Sequence, residues 1–191
     1  MNRLHKHVSF SRLVTILRIG HRFNRDKRIT SHLALVARAL GARKMIVAGE
    51  KDPNLEDSIN KVNTEWGGKF ELEIVPYDEW KQLMTEWKIK KKMIVHLTMY
   101  GENLPNFKKL KLLDELRKNL MDVQIILGGK KVPGKVFHYA DWNVAISNQP
   151  HSEVGALAIF LDHLFPNALN QSFDNTQKQI VPSLNGKKNY K

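Results

Sequence analysis

This chain of 191 residues contains no cysteine, and no apolar run in it approaches the roughly 18 residues that a membrane span needs. The absence of cysteine excludes disulfides, thiolate metal sites and a cysteine nucleophile, and it fits a reducing, cytoplasmic environment. No apolar segment with a small-residue cleavage site follows the basic start, MNRLHKHVSFSR, so we expect neither a secretory signal nor a membrane partner. The eight histidines show no paired spacing, and we therefore expect no metal site.

Two phosphate-binding motifs are also missing. GxGxxG does not follow the first predicted strand, which makes a nicotinamide-dependent oxidoreductase a poor fit, and GxxxxGK[ST] is absent, which excludes a P-loop enzyme. The first strand instead runs into GHRFNRDKR, where Arg22, Arg25, Lys27 and Arg28 stand close together at the start of the next helix. Such cations repel one another unless an anion compensates, and guanidinium groups match phosphate oxygens. This pattern favours a clamp for a phosphate or an RNA backbone over a solvated loop with surface ion pairs.

The whole chain is strongly basic. Lysine and arginine number 31 against 19 acidic residues, for a formal charge of +12. This excess attracts polyanions, and nucleic acid is the leading candidate partner. The alternative is a lysine-rich surface of the kind found in proteins from hot environments.

Apolar runs alternate with amphipathic segments along the chain. This alternation predicts an α/β fold with a mostly parallel sheet flanked by helices, although strand order cannot be read from it. The third strand alternates polar and apolar residues and is expected near an edge. Strands are predicted at 14–19, 44–48, 70–75, 93–97, 123–127 and 144–147. Helices are predicted at 30–40, 53–66, 78–88, 107–119 and 133–140, with a last helix that Pro166 ends.

Three segments divide the chain. Residues 1–13 form a basic N-terminal extension, 14–169 form one domain, and 170–191 form a polar tail that either docks on the domain or is disordered. His96, inside an apolar strand, is expected to be a core histidine. Trp66, Trp80 and Trp87 lie on helix faces and are expected in the core or at an interface.

Polar or glycine-rich loops follow three of the predicted strands. The first ends at Gly101, the second begins with Gly128 and Gly129, and the third joins a strand to a helix within NVAISNQPHSEVGALAIFLD, residues 143–162. Loops leaving the carboxyl ends of parallel strands share one edge of the sheet, and ligands bind there. The sequence therefore predicts a pocket formed by these loops.

Five motifs, in this order and spacing, resemble one known family. GHRFNRDKRITSHLALVARALGA, WGGKF, VHLTMYG, GGKKVP and NQPHSEVGALAIFLD are similar to the archaeal tRNA cytidine-56 2′-O-methyltransferases, which are members of the SPOUT superfamily. The resemblance covers roughly residues 14–182. It implies a C-terminal deep trefoil knot, S-adenosylmethionine as cofactor, a homodimer, and the ribose of a cytidine in the TΨC loop of tRNA as substrate.

The resemblance also implies site residues. The motif that includes Arg18, Arg22, Arg25 and Arg28 would activate or orient the hydroxyl, and we favour Arg22 and Arg28, with His32 as the alternative. Arg22, Arg25, Lys27 and Arg28 would also contact RNA. The cofactor pocket would comprise Leu97, Gly128, Gly129, Lys130, Lys131, Val132, Ile146, Ser147, Asn148, Gln149, Pro150, His151, Ser152 and Glu153.

The chain departs from the family pattern at two places. Residues 1–13 precede the usual start, either as a basic extension that touches RNA or as the product of an unused upstream start codon. Ser147 stands where glycine is expected, which adds a small side chain beside the cofactor. Two other functions stay open: a SPOUT methyltransferase acting on ribosomal RNA or on a base, and an RNA-binding protein without catalysis.

Overall fold

The computed structural model describes residues 14–109, 113–114, 122–129, 132–165, 167–187 and 189–190. Six parallel strands form one sheet in the order β3-β2-β1-β5-β4-β6. The strands are β1 Val14–His21, β2 Lys44–Gly49, β3 Glu71–Val75, β4 Met93–Asn103, β5 Val123–Gly128 and β6 Trp142–Ala145. The helices are α1 Phe23–Ala39, α2 Pro53–Trp66, α3 Trp80–Ile89, α4 Leu104–Lys109, α5 Lys135–Tyr139 and α6 Glu153–Leu164. The α/β class predicted from the sequence is therefore confirmed.

Helices cover both faces of the sheet. Ile16 of β1 packs in one core with residues of α1, α2 and α6, whereas the next residue, Leu17, packs in a second core with Trp80 and Met84 of α3. Successive side chains of a strand point to opposite faces, so the central strands need apolar residues at almost every position. The run VTIL of β1 meets this requirement. Strand β3 lies at the edge, as its alternating pattern predicted.

The strand order places a topological switch point beside β1. From β1 the chain builds outwards through β2 to β3, and it then crosses back over β2, β1 and the position of β5 to form β4 on the other side. In open α/β sheets the crevice at such a reversal, outside the carboxyl ends of the strands, is the usual ligand site. The carboxyl ends of β1 and β5 are therefore the place where the fold favours a site.

Helix α1 begins earlier than predicted, at Phe23 rather than at residue 30. Two carboxylates satisfy its first amides: Asp26 accepts a hydrogen bond from the backbone N–H of Arg22 at 3.1 Å, and Glu50 accepts one from that of Phe23 at 2.7 Å. An unsatisfied helix N-terminus is costly, and these contacts remove the cost. Arg22, predicted with three other cations at the start of the helix, is therefore its N-cap, and Arg25, Lys27 and Arg28 lie in its first turns. Gly41 follows the helix with φ +92, a left-handed conformation that favours glycine after a helix end.

Other boundaries differ from the predictions for local reasons. Strand β4 continues past Leu97 because the chain pairs with β6 again at Glu102. The residues between Leu97 and Glu102 leave the ladder and form the β4 detour. Strand β6 covers 142–145 rather than 144–147. The helix predicted at 78–88 starts later, because Asp78 lies in a 3-10 turn, Tyr77–Glu79, and α3 begins at Trp80. Helix α4 starts at Leu104 rather than at residue 107, and most of the rest of that predicted helix, like Pro166, lies outside the described residues.

The described part of the polar C-terminal segment contacts the domain. The guanidinium of Arg38 lies 4.4 Å from the ring centroid of Phe173, and the ammonium of Lys178 lies 2.7 Å from the carboxylate of Glu65. These contacts favour docking over disorder for that segment. The N-terminal extension lies outside the described residues, and so do 110–112, 115–121 and 130–131, so the knot stays a prediction of the resemblance. Within the described residues, no helix is both long and apolar enough to cross a membrane.

Candidate functional site

The loops that follow β4 and β6 meet at the carboxyl edge of the sheet. Asn148 joins them, since its side-chain amide donates to the carbonyl oxygens of Met99 at 2.8 Å and Gly101 at 3.1 Å. Its own amide oxygen accepts a hydrogen bond from Asn103. Gly101 also lets the backbone of β6 lie close to this loop, because a Cβ there would lie 2.5 Å from the backbone of Asn143. Two of the three predicted loops are therefore held together.

A cavity of about 560 Å³ joins the cationic face of α1 to the other loops. Helical spacing puts Arg22, Arg25, Arg28 and His32 on one face of α1 and its N-terminus, and all four line the cavity. Gly129, after β5, and the first residues of α6 line the opposite wall. The structure therefore brings these predicted catalytic and RNA-binding residues next to predicted cofactor residues. Lys27 does not line this cavity: its ammonium lies 5.3 Å from the ring centroid of Phe23.

Arg22 is fixed at the rim of this cavity by Asp26. Its Nε donates to one carboxylate oxygen at 2.9 Å and its Nη2 to the other at 3.2 Å. The hydrogen bond from Arg22 holds the pKa of Asp26 below its usual value, and the same bond raises the pKa of Arg22. Arg22 is therefore a guanidinium with a set orientation, suited to holding an anion or a hydroxyl and unsuited to accepting a proton.

Arg18 was considered from the sequence but not favoured, and the structure gives it a special position. It is fully buried within β1, and its Nη1 donates to a carboxylate oxygen of Glu153 at 2.6 Å. Its Nε and Nη2 are buried without a hydrogen-bond partner among the described residues. Nη2 lies 2.8 Å from the point where a Cβ on Gly129 would stand, so a larger residue there would require the guanidinium to shift. The one signal in the sequence was an arginine inside an apolar strand, since a buried charge needs a partner.

A smaller cavity of about 360 Å³ adjoins the first one, at the carboxyl ends of β1 and β2. Arg22 lines both cavities, and Gly20, Gly49, Glu50 and Tyr77 line the smaller one. No sequence pattern pointed to this cavity, because its lining comes from three separate segments.

His21 lies beneath the smaller cavity in a buried polar group. Its Nδ1 lies 2.9 Å from the hydroxyl oxygen of Thr30, and its Nε2 lies 3.8 Å from a carboxylate oxygen of Asp52. Burial, and then the charge of Arg18, lowers the pKa of His21. The ring is therefore neutral at neutral pH and adds no positive charge to the cavity floor.

The remaining predicted cofactor residues surround the same edge. Leu97 is buried at the start of the β4 detour, Gly128 ends β5, and Val132 and Ile146 are partly buried against the two cores. Ser152 caps α6 by accepting a hydrogen bond from the backbone N–H of Val154. Lys130 and Lys131 lie outside the described residues. The segment between β6 and α6 carries the others, which are half-buried or exposed: Ser147, Gln149, Pro150 and His151.

His96 is a core histidine, as predicted. Its Nδ1 lies 2.9 Å from the side-chain oxygen of Asn143, its ring packs edge-on against Phe137, and burial lowers its pKa. Among the described residues, no group of three or more histidine, aspartate or glutamate side chains is placed to hold a metal ion.

Comparison with known proteins decides the family. The family model described as tRNA ribose 2′-O-methyltransferase, aTrm56, matches residues 66–190, which is more than half of the chain. The chain belongs to the aTrm56 family. The resemblance inferred from the five motifs is thereby confirmed.

Curated relatives of this aTrm56-family chain are named tRNA (cytidine(56)-2′-O)-methyltransferase. One from Thermococcus kodakarensis is 48% identical, and the match covers 93% of this chain and 96% of the relative. One from Methanocaldococcus jannaschii is 46% identical over 92% and 94% of the two chains. One from Metallosphaera sedula is also 46% identical, over 91% and 95%.

Solved structures share the fold at low identity. The TrmH/SpoU tRNA modifying enzyme of A. aeolicus has a TM-score of 0.58 at 13% identity, covering 81% of this chain and 74% of that one. The SpoU methyltransferase AviRb from Streptomyces viridochromogenes, in complex with AdoMet, has a TM-score of 0.53 at 15% identity. That match covers 83% of this chain and 57% of AviRb. These structures place the aTrm56-family chain in the SpoU/TrmH fold.

Proposed function

We propose that this protein transfers a methyl group from S-adenosylmethionine to the ribose 2′-oxygen of cytidine 56 in the TΨC loop of tRNA. Membership of the aTrm56 family supports the reaction class. The observation that carries the proposal for this chain is the cavity of about 560 Å³, in which the arginines of α1 face Gly129 and the start of α6. Because the proposed substrate is tRNA, we place the enzyme in the cytoplasm.

The residues at the sheet edge fit the proposed cofactor. Gly128 and Gly129 leave the backbone open to a close approach, and Val132 and Ile146 offer apolar surface for an adenine. Asn148 holds two of the loops in one arrangement before any ligand arrives, which lowers the cost of ordering them on binding. The proposed pocket comprises Leu97, 128–132 and 146–153. When bound, S-adenosylmethionine supplies a methyl group on a sulfonium centre.

The residues of α1 supply positioning and charge. Methyl transfer to a hydroxyl needs the oxygen in line with the methyl group, and it needs the hydroxyl proton to leave. A guanidinium beside the hydroxyl favours its alkoxide form, and Arg22, held by Asp26, is set to act in this way. Arg28 and Arg25 then hold the adjoining phosphates, and His32 is the alternative contact to the hydroxyl.

We also propose the homodimer that the resemblance implies. Helices α1 and α6 pack against each other, and each exposes one large apolar side chain: Leu35 is 39% exposed and Ile159 is 43% exposed. A second subunit packed across these two helices would cover both residues. This surface is the one that we expect the dimer to bury.

One experiment tests the proposed function. Labelled methyl transfer is measured with an unmodified tRNA transcript and with a matched transcript that carries 2′-deoxycytidine at position 56. We expect label on the first transcript and none on the second. Label on both would move the target to a base or to another nucleotide, and label on neither would refute the proposed substrate. Nuclease digestion and mass analysis of the product identify the methylated nucleoside.

A further inference from the structure

The smaller cavity, at the carboxyl ends of β1 and β2, has no role in the function proposed above. Its volume of about 360 Å³ is near the lower end of the range for pockets that hold small molecules. It adjoins the larger cavity because Arg22 lines both. Only the Arg22 side chain therefore separates a ligand in the smaller cavity from the place where the ribose hydroxyl is proposed to react.

Two glycines, Gly20 and Gly49, line this cavity. Gly20 has φ +89, which favours glycine, and a Cβ there would meet no protein atom within 4 Å. Gly49 has no room for a side chain, because a Cβ would lie 2.4 Å from the backbone oxygen of His21. The missing side chain at Gly49 therefore lets β1 and β2 pack closely, and the one at Gly20 leaves backbone that an aromatic ring of a ligand can approach.

The walls carry one aromatic ring and one fixed carboxylate. Tyr77 is 48% exposed, so its ring is available for stacking. One carboxylate oxygen of Glu50 accepts the backbone N–H of Phe23 at 2.7 Å, which holds the group in place. The other oxygen, Oε1, makes no hydrogen bond within the part of the chain that the structure describes. An acceptor with a set position and no partner is suited to an amino group of a ligand.

We propose that this cavity holds the base of the target nucleotide and that it selects cytosine over uracil. The inference rests on the proposed function and adds the origin of its base preference. Proteins that read single-stranded RNA loops stack splayed bases on aromatic rings and read their edges with hydrogen bonds. Here the cytosine stacks on Tyr77 and donates its N4 amino group to Glu50, while Arg22 spans from base to ribose. Uracil presents an oxygen at the same place, which a carboxylate repels.

The test compares kcat/KM for methyl transfer to tRNA transcripts with cytidine or uridine at the target position. Wild-type protein is expected to prefer cytidine by about tenfold or more. Glu50→Gln is expected to bring the two values within about threefold of each other, because an amide can accept from cytosine or donate to uracil. Asp78→Asn is the matched control: it removes one negative charge beside the cavity and is expected to keep the wild-type preference.

A second variant separates stacking from folding. Tyr77→Ala is expected to raise KM for tRNA about tenfold, with S-adenosylmethionine binding by calorimetry unchanged, and Tyr77→Phe is expected to restore the low KM. With a transcript that lacks the base but keeps the 2′-hydroxyl at the target position, Tyr77→Ala should cause no further loss.

Two results would overturn the base pocket while leaving the proposed function intact. One is an unchanged cytidine preference in active Glu50→Gln. The other, which applies even if Glu50→Gln does not fold, is an equal effect of Tyr77→Ala on transcripts with and without the base. Absence of transfer by wild-type protein to any of these transcripts would refute the proposed function itself.

Discussion

Breaking the ion pair between Arg18 and Glu153 should destabilise the fold strongly, and removing one or the other partner should have unequal effects. The Arg18 side chain is completely buried, whereas that of Glu153 is 15% exposed. Glu153→Ala leaves a buried guanidinium without an anion, which costs about 3–5 kcal/mol in free energy of unfolding. Arg18→Met leaves a carboxylate that water can partly reach, and we expect a smaller loss of about 1–3 kcal/mol.

These values translate into melting temperatures. For a chain of this size, each kcal/mol lowers the melting temperature by about 2–4 °C, so Glu153→Ala should lower it by roughly 6–20 °C. Urea unfolding followed by circular dichroism measures the free energy directly, at one fixed protein concentration because the proposed dimer would add to stability. The double variant Arg18→Met with Glu153→Ala should lose clearly less than the sum of the two single losses, since no uncompensated charge is left.

A matched control separates the ion pair from the helix dipole. Glu56 lies in the first turn of α2, as Glu153 does in α6, and it forms no ion pair within the described residues. Glu56→Ala should therefore cost less than about 1 kcal/mol. The reasoning is refuted if Glu153→Ala costs no more than this control, or if Arg18→Met costs more than Glu153→Ala.

Three further predictions concern catalysis, pH and assembly. The variant Asp26→Asn removes the carboxylate that holds Arg22 in place. We expect kcat/KM for tRNA to fall about ten- to hundredfold, with the affinity for S-adenosylmethionine unchanged. An equal loss of cofactor binding, measured by calorimetry, would contradict this expectation. Burial lowers the pKa of His96 from its usual 6.5, so its contribution to stability is complete above that pH and is lost as pH falls towards the lower folded-state pKa. Urea titrations at about pH 7.5 and 5.5 should therefore show a smaller acid loss for His96→Asn than for wild type. Leu35→Glu with Ile159→Glu should give a monomer by light scattering, and a persistent dimer would exclude the surface on α1 and α6.

The sequence was sufficient for the succession of strands and helices along the chain because its signals are local. The run VTIL, the Asp52-Pro53 start of α2 and the glycine after α1 each act within a few residues. Even the edge position of β3 followed from alternation in ELEIV. The common location of the three loops followed from the rule that parallel strands end at one edge.

Errors arose where a distant residue completes a local element. Helix α1 was expected to start late because GHRFNRDKR reads as a charged loop, but Glu50 satisfies its first amide from 27 residues away. The detour after Leu97 was missed because β4 pairs again with β6, which lies some 40 residues further along the chain. Local pattern carries no information about such partners.

The sequence by itself determined the fold class, the family and the edge of the sheet where the loops meet. The tertiary structure decided the burial and the charge partner of each arginine, and with them the role that each can have. Arg18 meets Glu153 across 135 residues and is buried, while Arg22, four residues further on, is held at the cavity rim by Asp26. The reason is physical, because periodicity in the sequence sets only the direction in which a side chain points. Its charge partner and its access to water depend on the strand order. Only packing of the whole chain establishes that order.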